Sequence, residues 1–156
     1  MKVKEYQQLT RRTNADLGSP QINAAHCTLG IVGEWTEKEL ALGNDFLLEC
    51  GDVMWYTSEL ANIFGIALDD SASNYPPNLA ISKIAESVKK YLAYNKPIVI
   101  ADLQELLNGI VWDIKYECEQ FGYPFEHVLS KNIEKLRKRF PEKFEASLAI
   151  QQNDMK

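Results

Sequence analysis

The sequence predicts an all-α fold, a bundle of about five to six helices. Three observations carry that reading. Apolar residues recur at three- and four-residue steps almost throughout, and clusters of Gly, Asn and Pro cut the periodic stretches into helix-sized segments. The one strand candidate, Ile98-Val-Ile100, is too short to carry a sheet.

The elements follow in order. A short helix is expected around residues 4–16. From Asn23 to about Leu42, Ala25, Leu29, Val32 and Trp35 mark an apolar stripe, and Gly43-Asn44 supplies a stop. Asp45 then caps a helix with Phe46, Cys50, Val53, Thr57, Leu60 and Phe64 on one side, ended by Gly65. Ser71, Ser73, Asn74, Pro76 and Pro77 make residues 69–78 a loop, after which Asn78 caps a helix to about Tyr94. Asn95-Lys-Pro97 breaks it. Asp102 opens the next helix, with Leu103, Leu106, Leu107, Ile110, Val111, Ile114 and Phe121 apolar and Gly122 as terminator. Pro124 suits the first turn of a last strong helix that runs towards Pro141.

Composition bounds the chemistry. The 156 residues make one domain by length, and 46% apolar content excludes disorder. Three scattered cysteines, Cys27, Cys50 and Cys118, read as reduced core residues rather than bridges or a zinc site. His26 and His127 lie far apart in sequence and read as structural. No apolar run reaches membrane-spanning length and the N-terminus has no signal-peptide core, so a soluble cytoplasmic protein is expected, without a membrane partner. With 22 acids against 17 bases the net charge is −5, which argues against a protein built to hold nucleic-acid backbone.

The chain also repeats itself. At a spacing of 57 residues Val53-Met-Trp55 meets Ile110-Val-Trp112, Phe64-Gly65 meets Phe121-Gly122, and Leu68-Asp69 meets Phe125-Glu126. A duplicated helix-loop-helix is expected, with repeat 1 at about residues 23–70, repeat 2 at about 78–128 and a C-terminal segment at 129–156. Amphipathic helices also resemble one another without duplication, which is the competing explanation.

Glu34 and Glu37 stand at i and i+3, and Glu49 and Asp52 repeat that spacing on the next helix. Antiparallel neighbours would gather the four carboxylates, and like charges that close demand protons or cations. Carboxylates without histidine or thiol favour a hard cation such as Mg²⁺, with room for two ions at roughly 3.5–4 Å as in two-metal phosphoryl sites. The spacing alone is weak, since solvated helix faces show it too. Two features point beyond that. Gly30, Gly33 and Gly51 interrupt helix interiors at a cost of roughly 1 kcal/mol each, and Gly33 and Gly51 directly precede Glu34 and Asp52. Repeat 2 carries Leu106 and Gly109 where repeat 1 carries Glu49 and Asp52, so one half holds the acids and the other is scaffold. Further on, Asn132, Lys135 and Arg139 share a helical face and offer an amide and two cations to phosphate oxygens, or else a solvated basic face balanced by Glu134 and Glu142.

At these residues the sequence resembles the MazG-type all-α nucleoside triphosphate pyrophosphohydrolases, especially the short phage and bacterial forms. The matching segments are Leu29-Gly-Ile-Val-Gly-Glu-Trp-Thr-Glu37, Glu49-Cys-Gly-Asp-Val-Met-Trp-Tyr56 and Asn132-Ile-Glu-Lys-Leu-Arg-Lys-Arg-Phe-Pro141. The resemblance implies Mg²⁺, with Mn²⁺ as a substitute, on Glu34, Glu37, Glu49 and Asp52. It implies nucleotide contacts from Asn132 and Lys135, with Arg139 in the same motif. The expected reaction is hydrolysis of an NTP or dNTP between the α- and β-phosphates, with Glu37 or Glu49 steering the water, in a homodimer or homotetramer. Trp35 stands where the family usually has a small residue and is expected at the rim of the substrate pocket, with His26 and the N-terminal helix as other candidates for the base pocket. The gap between the acid pairs is shorter than in most members. Lys89 and Lys90 either reach the phosphates across the pseudo-twofold or are solvated. A catalytically silent nucleotide-sensing module and a plain helical interaction protein are the rival readings.

Overall fold

A computed structural model of the chain describes residues 1–73, 75–141 and 144–151; Asn74, Glu142, Lys143 and residues 152–156 lie outside the described residues. Among the described residues the protein is all-helical, without strands. The helices are α1 (Val3–Thr10), followed by a 3₁₀ turn at Arg11–Thr13, α2 (Pro20–Leu40), α3 (Asn44–Ile63), α4 (Pro77–Tyr94), α5 (Ile100–Gln120), α6 (Phe125–Arg139) and α7 (Ala146–Gln151). None of them is long and apolar enough to cross a membrane.

Several helix starts differ from the sequence expectation, for local reasons. Helix α2 begins three residues earlier than Asn23, because Ser19 Oγ accepts the Ile22 amide at 3.2 Å and Pro20 fits the first turn. Helix α4 starts with Pro77 at its first position rather than from an Asn78 cap. Asp45 and Asp102 sit inside first turns, where their charge complements the helix dipole without capping. Residues 98–99 only lead into α5, with Val99 extended.

Helices α2 and α3 form a tight hairpin, as do α4 and α5, and the two hairpins meet α2 to α4 and α3 to α5. That is the pairing a duplicated hairpin would have. The second helix of each hairpin also ends in the same way. Gly65 (φ 67°) and Gly122 (φ 82°) take left-handed backbone, and the residue after each donates back into the last turn, Ile66 N to Ala61 O at 3.0 Å and Tyr123 N to Cys118 O at 2.8 Å. Helix α6 lies on α3, and α1 packs against both.

The core runs through all of this, with Tyr6, Ile31, Met54, Leu60, Ile84, Leu107, Ile110, Ile114 and Leu129 almost wholly buried. All three cysteines are buried and reduced. Helix α2 is rotated relative to the expected stripe. Its buried side runs through Ala24, Cys27, Ile31, Trp35 and Lys38, while Leu29 is 72% exposed and Val32 42% exposed. Lys38 is buried to 1% exposure and pairs with Glu117 at 2.5 Å and Glu39 at 2.7 Å, its ammonium 4.1 Å above the Trp35 ring centroid. That contact fixes the end of α2 against α5.

The glycines of α2 divide by what they face. A methyl at Gly30 would fall inside the Tyr56 ring of α3, whereas one at Gly33 would meet nothing within 4 Å. Gly33→Ala is therefore expected to stabilise the protein by roughly 0.5–1 kcal/mol through helix propensity. Gly30→Ala should destabilise it by about 1–3 kcal/mol through overpacking. Urea unfolding of both variants measures the pair, and a neutral Gly30→Ala contradicts the close crossing of α2 and α3.

Candidate functional site

Asp52 lies one helical turn beyond Glu49 on α3, and Glu34 faces them from α2. Each of the three offers a carboxylate oxygen, and these atoms lie within 4.8 Å of one another. Glu37, one turn after Glu34, lines the adjoining cavity but stands outside that group of three. The four acids singled out in the sequence thus converge as three in close contact and one alongside.

Three negative charges at that distance cannot coexist unpaired in a half-buried site. The fold compensates them from two directions. Helix α6 brings Lys135 Nζ to 2.5 Å from Asp52 Oδ2 and Asn132 Nδ2 to 3.0 Å from Asp52 Oδ1. On the other side, burial first of all, then the Asp52 charge and a hydrogen bond with Glu49, push the Glu34 carboxyl up to about 8. Glu34 accordingly holds a proton at neutral pH. Its Oε2 is buried without a hydrogen-bond partner. A carboxylate cluster with a buried, unsatisfied oxygen and a replaceable proton suits a hard divalent cation by ligand chemistry.

The close approach of α6 depends on Gly51. A Cβ there would come within 2.9 Å of Asn132 Cβ and 3.0 Å of its Nδ2, so the missing side chain is what lets Asn132 reach Asp52. Gly33, by contrast, faces open space, and close packing does not explain it.

The acids border a cavity of about 690 Å³, within the usual range for small-molecule sites. Lys135 and Arg139 supply its positive side chains, and His26, Trp55, Tyr56, Phe140 and Phe144 its rings. The rings brace one another: Tyr56 meets Trp55 edge-on at 4.9 Å and His26 at 5.6 Å, and Trp55 Nε1 donates to Thr13 Oγ1 at 2.9 Å. Burial lowers the His26 pKa, keeping the imidazole neutral, and raises the Tyr56 phenol to about 12. Burial also pulls Arg139 down, against the opposing pull of Asp52, Tyr56 and Glu34.

Several expected site residues stand elsewhere. Trp35 does not line the cavity; it is the next residue after Glu34, so the helix turns it about 100° away, into the core beneath Lys38. Asn132 is 3% exposed and sits behind Asp52 rather than on the cavity wall. Lys89 and Lys90 pair with Glu86 on the exposed side of α4, which is the solvated option. His127 is exposed on α6. Trp55 and Tyr56 were missed as site residues, although a signal was present, because they follow Asp52 at i+3 and i+4 and so share its face.

No known family model matches the chain, nor does any curated protein or solved structure. The likeness to the all-α pyrophosphohydrolases therefore rests on the motifs quoted above.

The Glu34 proton makes a pH dependence. The unfolded chain ionises Glu34 near 4.5 and the folded one near 8, so the native state binds the extra proton between those values and loses stability as pH rises through them. Glu59 and Asp113, also raised by burial, act in the same direction. Glu34→Gln should raise the Tm of the metal-free protein by a few degrees at pH 8, leave it nearly unchanged at pH 4.5, and flatten part of the slope. Thermal melts across pH 4.5–8 read this directly, and a Gln variant melting below wild type at pH 8 contradicts a protonated Glu34.

Proposed function

We propose that the protein is a divalent-cation-dependent pyrophosphohydrolase that converts a nucleoside or deoxynucleoside triphosphate to the monophosphate and pyrophosphate. One observation carries this reading: Glu34, Asp52 and Glu37 border the same ring-lined cavity as two cationic side chains, with Glu49 buried beside the first two. A base and a triphosphate need that combination of stacking surface and paired charge.

Glu34, Glu49 and Asp52 would hold the cation, with Glu37 alongside, and Mg²⁺ is the ion their oxygen-only chemistry favours. Once bound, it would neutralise phosphate charge and make water more acidic. The remaining work falls to the chain. Lys135 and Arg139 would draw the phosphates into the cavity and offset the charge that grows on the leaving pyrophosphate. Of the two acids considered for steering water, Glu37 lines the cavity while Glu49 is 5% exposed behind it, so Glu37 would take the proton. Water adds across the α–β anhydride, the bridging bond breaks, and the released proton passes to the carboxylate. Trp55, Tyr56 and His26 would face the base in place of Trp35.

A panel of eight NTPs and dNTPs with Mg²⁺, scored for monophosphate and pyrophosphate, tests the reading. Turnover of at least one is expected, with a loss of 10²-fold or more on the order expected for a ligand deletion in Glu49→Gln and Glu37→Gln at unchanged helix content. Binding of a nucleotide without any product would instead favour a silent sensing module. Pyrophosphate release by Glu49→Gln at the wild-type rate would sink the assignment.

A further inference from the structure

The N-terminal helix α1, a candidate for the base pocket by sequence, lends no residue to the cavity wall, yet it contributes one of the most buried side chains in the protein. Tyr6 is 0% exposed, and its hydroxyl donates to Asn132 Oδ1 at 2.7 Å, with the Gly51 carbonyl oxygen also in reach at 3.3 Å. Asn132 in turn donates through Nδ2 to Asp52 Oδ1 at 3.0 Å. Three elements distant in sequence, α1, α6 and α3, are thus joined in one buried chain of donors that ends on a candidate metal-holding carboxylate.

The direction of this chain follows from donor and acceptor chemistry. An asparagine amide has nearly the same shape in its two orientations, but only one puts N–H against a carboxylate; the other sets two oxygens face to face. A hydroxyl can accept as well as donate, so by itself it would permit either orientation. The Asp52 carboxylate only accepts, which draws Nδ2 to it and turns Oδ1 toward the phenol, whose one proton lies nearer Oδ1 at 2.7 Å than the Gly51 carbonyl at 3.3 Å. Burial, with the charges of Asp52 and Glu59 behind it, holds the phenol pKa well above its ordinary value, so that proton stays in place. With Oδ1 held by the phenol proton, the amide is kept in the orientation that leaves Nδ2 on Asp52.

We propose that Tyr6 is a positioning residue of the site, fixing the amide orientation of Asn132 and through it the carboxylate of Asp52. Tyr6 does not line the cavity, so its effect passes through Asn132. Outer hydrogen-bond partners of metal-holding groups typically account for 10–100-fold in affinity or activity. The inference uses the proposed function only for its turnover arm.

The test is Tyr6→Phe, which keeps the ring and removes one oxygen, beside Thr10→Val, which perturbs the same α1–α3 contact without reaching Asn132. In the metal-free protein, NMR of the Asn132 side-chain amide should show shifted or broadened signals in Tyr6→Phe and wild-type signals in Thr10→Val. Calorimetric titration with Mg²⁺ should show affinity about tenfold weaker in Tyr6→Phe, and the same loss in Asn132→Ala whether or not Tyr6 is also replaced. Where nucleotide turnover is found, kcat/KM should follow the same non-additive cycle. Unchanged Asn132 amide signals in Tyr6→Phe, or additive losses in the double variant, overturn the proposal. A wild-type protein that turns over no nucleotide, combined with altered Asn132 signals in Tyr6→Phe, rejects the pyrophosphohydrolase reading and leaves the positioning role standing.

Discussion

Three carboxylates whose oxygens approach within 4.8 Å of one another are the constraint on which the site's architecture depends. Their mutual repulsion in a half-buried setting exceeds what helix packing alone would tolerate, so each has to be answered. A proton on Glu34 answers one, shared with Glu49, and Lys135 with Asn132 answers Asp52. Both answers are reversible by a divalent ion, since the proton can leave and the ammonium can exchange partners. The charge arrangement therefore has two roles: it lets the chain fold with its acids gathered, and it leaves them available to a stronger cation.

The supporting structure is arranged around that requirement. Gly51 removes the one side chain that would hold α6 off α3, and Tyr6 places a hydroxyl proton where only Asn132 Oδ1 and a carbonyl can receive it. The second hairpin is the apolar counterpart. At the positions matching Glu49 and Asp52 it has Leu106, buried at 5% exposure, and Gly109, pressed by Ser73 Oγ at 3.1 Å from where a Cβ would be. At those two positions that half supplies packing without charge, and the two long helices end alike at Gly65 and Gly122. Lys38, buried between Glu117, Glu39 and Trp35, ties the hairpins together; a paired ion of this kind specifies one alignment of α2 more than it adds stability.

Much of the site was legible because helical spacing is rigid. Acids at i and i+3 on two helices with a short link between them must face a common side when the helices pack antiparallel, and Glu34, Glu49 and Asp52 do. Asn132 and Lys135 were legible as a pair for the same reason, although the partner that receives them is Asp52. The misses share a cause. Trp35 is expected at the pocket because the resembling family has a small residue there, yet it follows Glu34 directly and adjacent helical residues point about 100° apart. Leu29 and Val32 were placed in the core because they are apolar, yet α2 turns its Ala24, Cys27 and Ile31 side inward.

By itself the sequence determined that the protein is helical, to within a few residues where its long helices lie, and which acids share a face, because backbone geometry and side-chain period settle these within one segment. Only the tertiary structure decided how far α2 is rotated, that Tyr6 backs Asn132, and that Trp55 and Tyr56 replace Trp35 beside the acids. Those outcomes depend on contacts between residues such as Tyr6 and Asn132, 126 positions apart, where burial, a missing Cβ and the need to neutralise charge are weighed together.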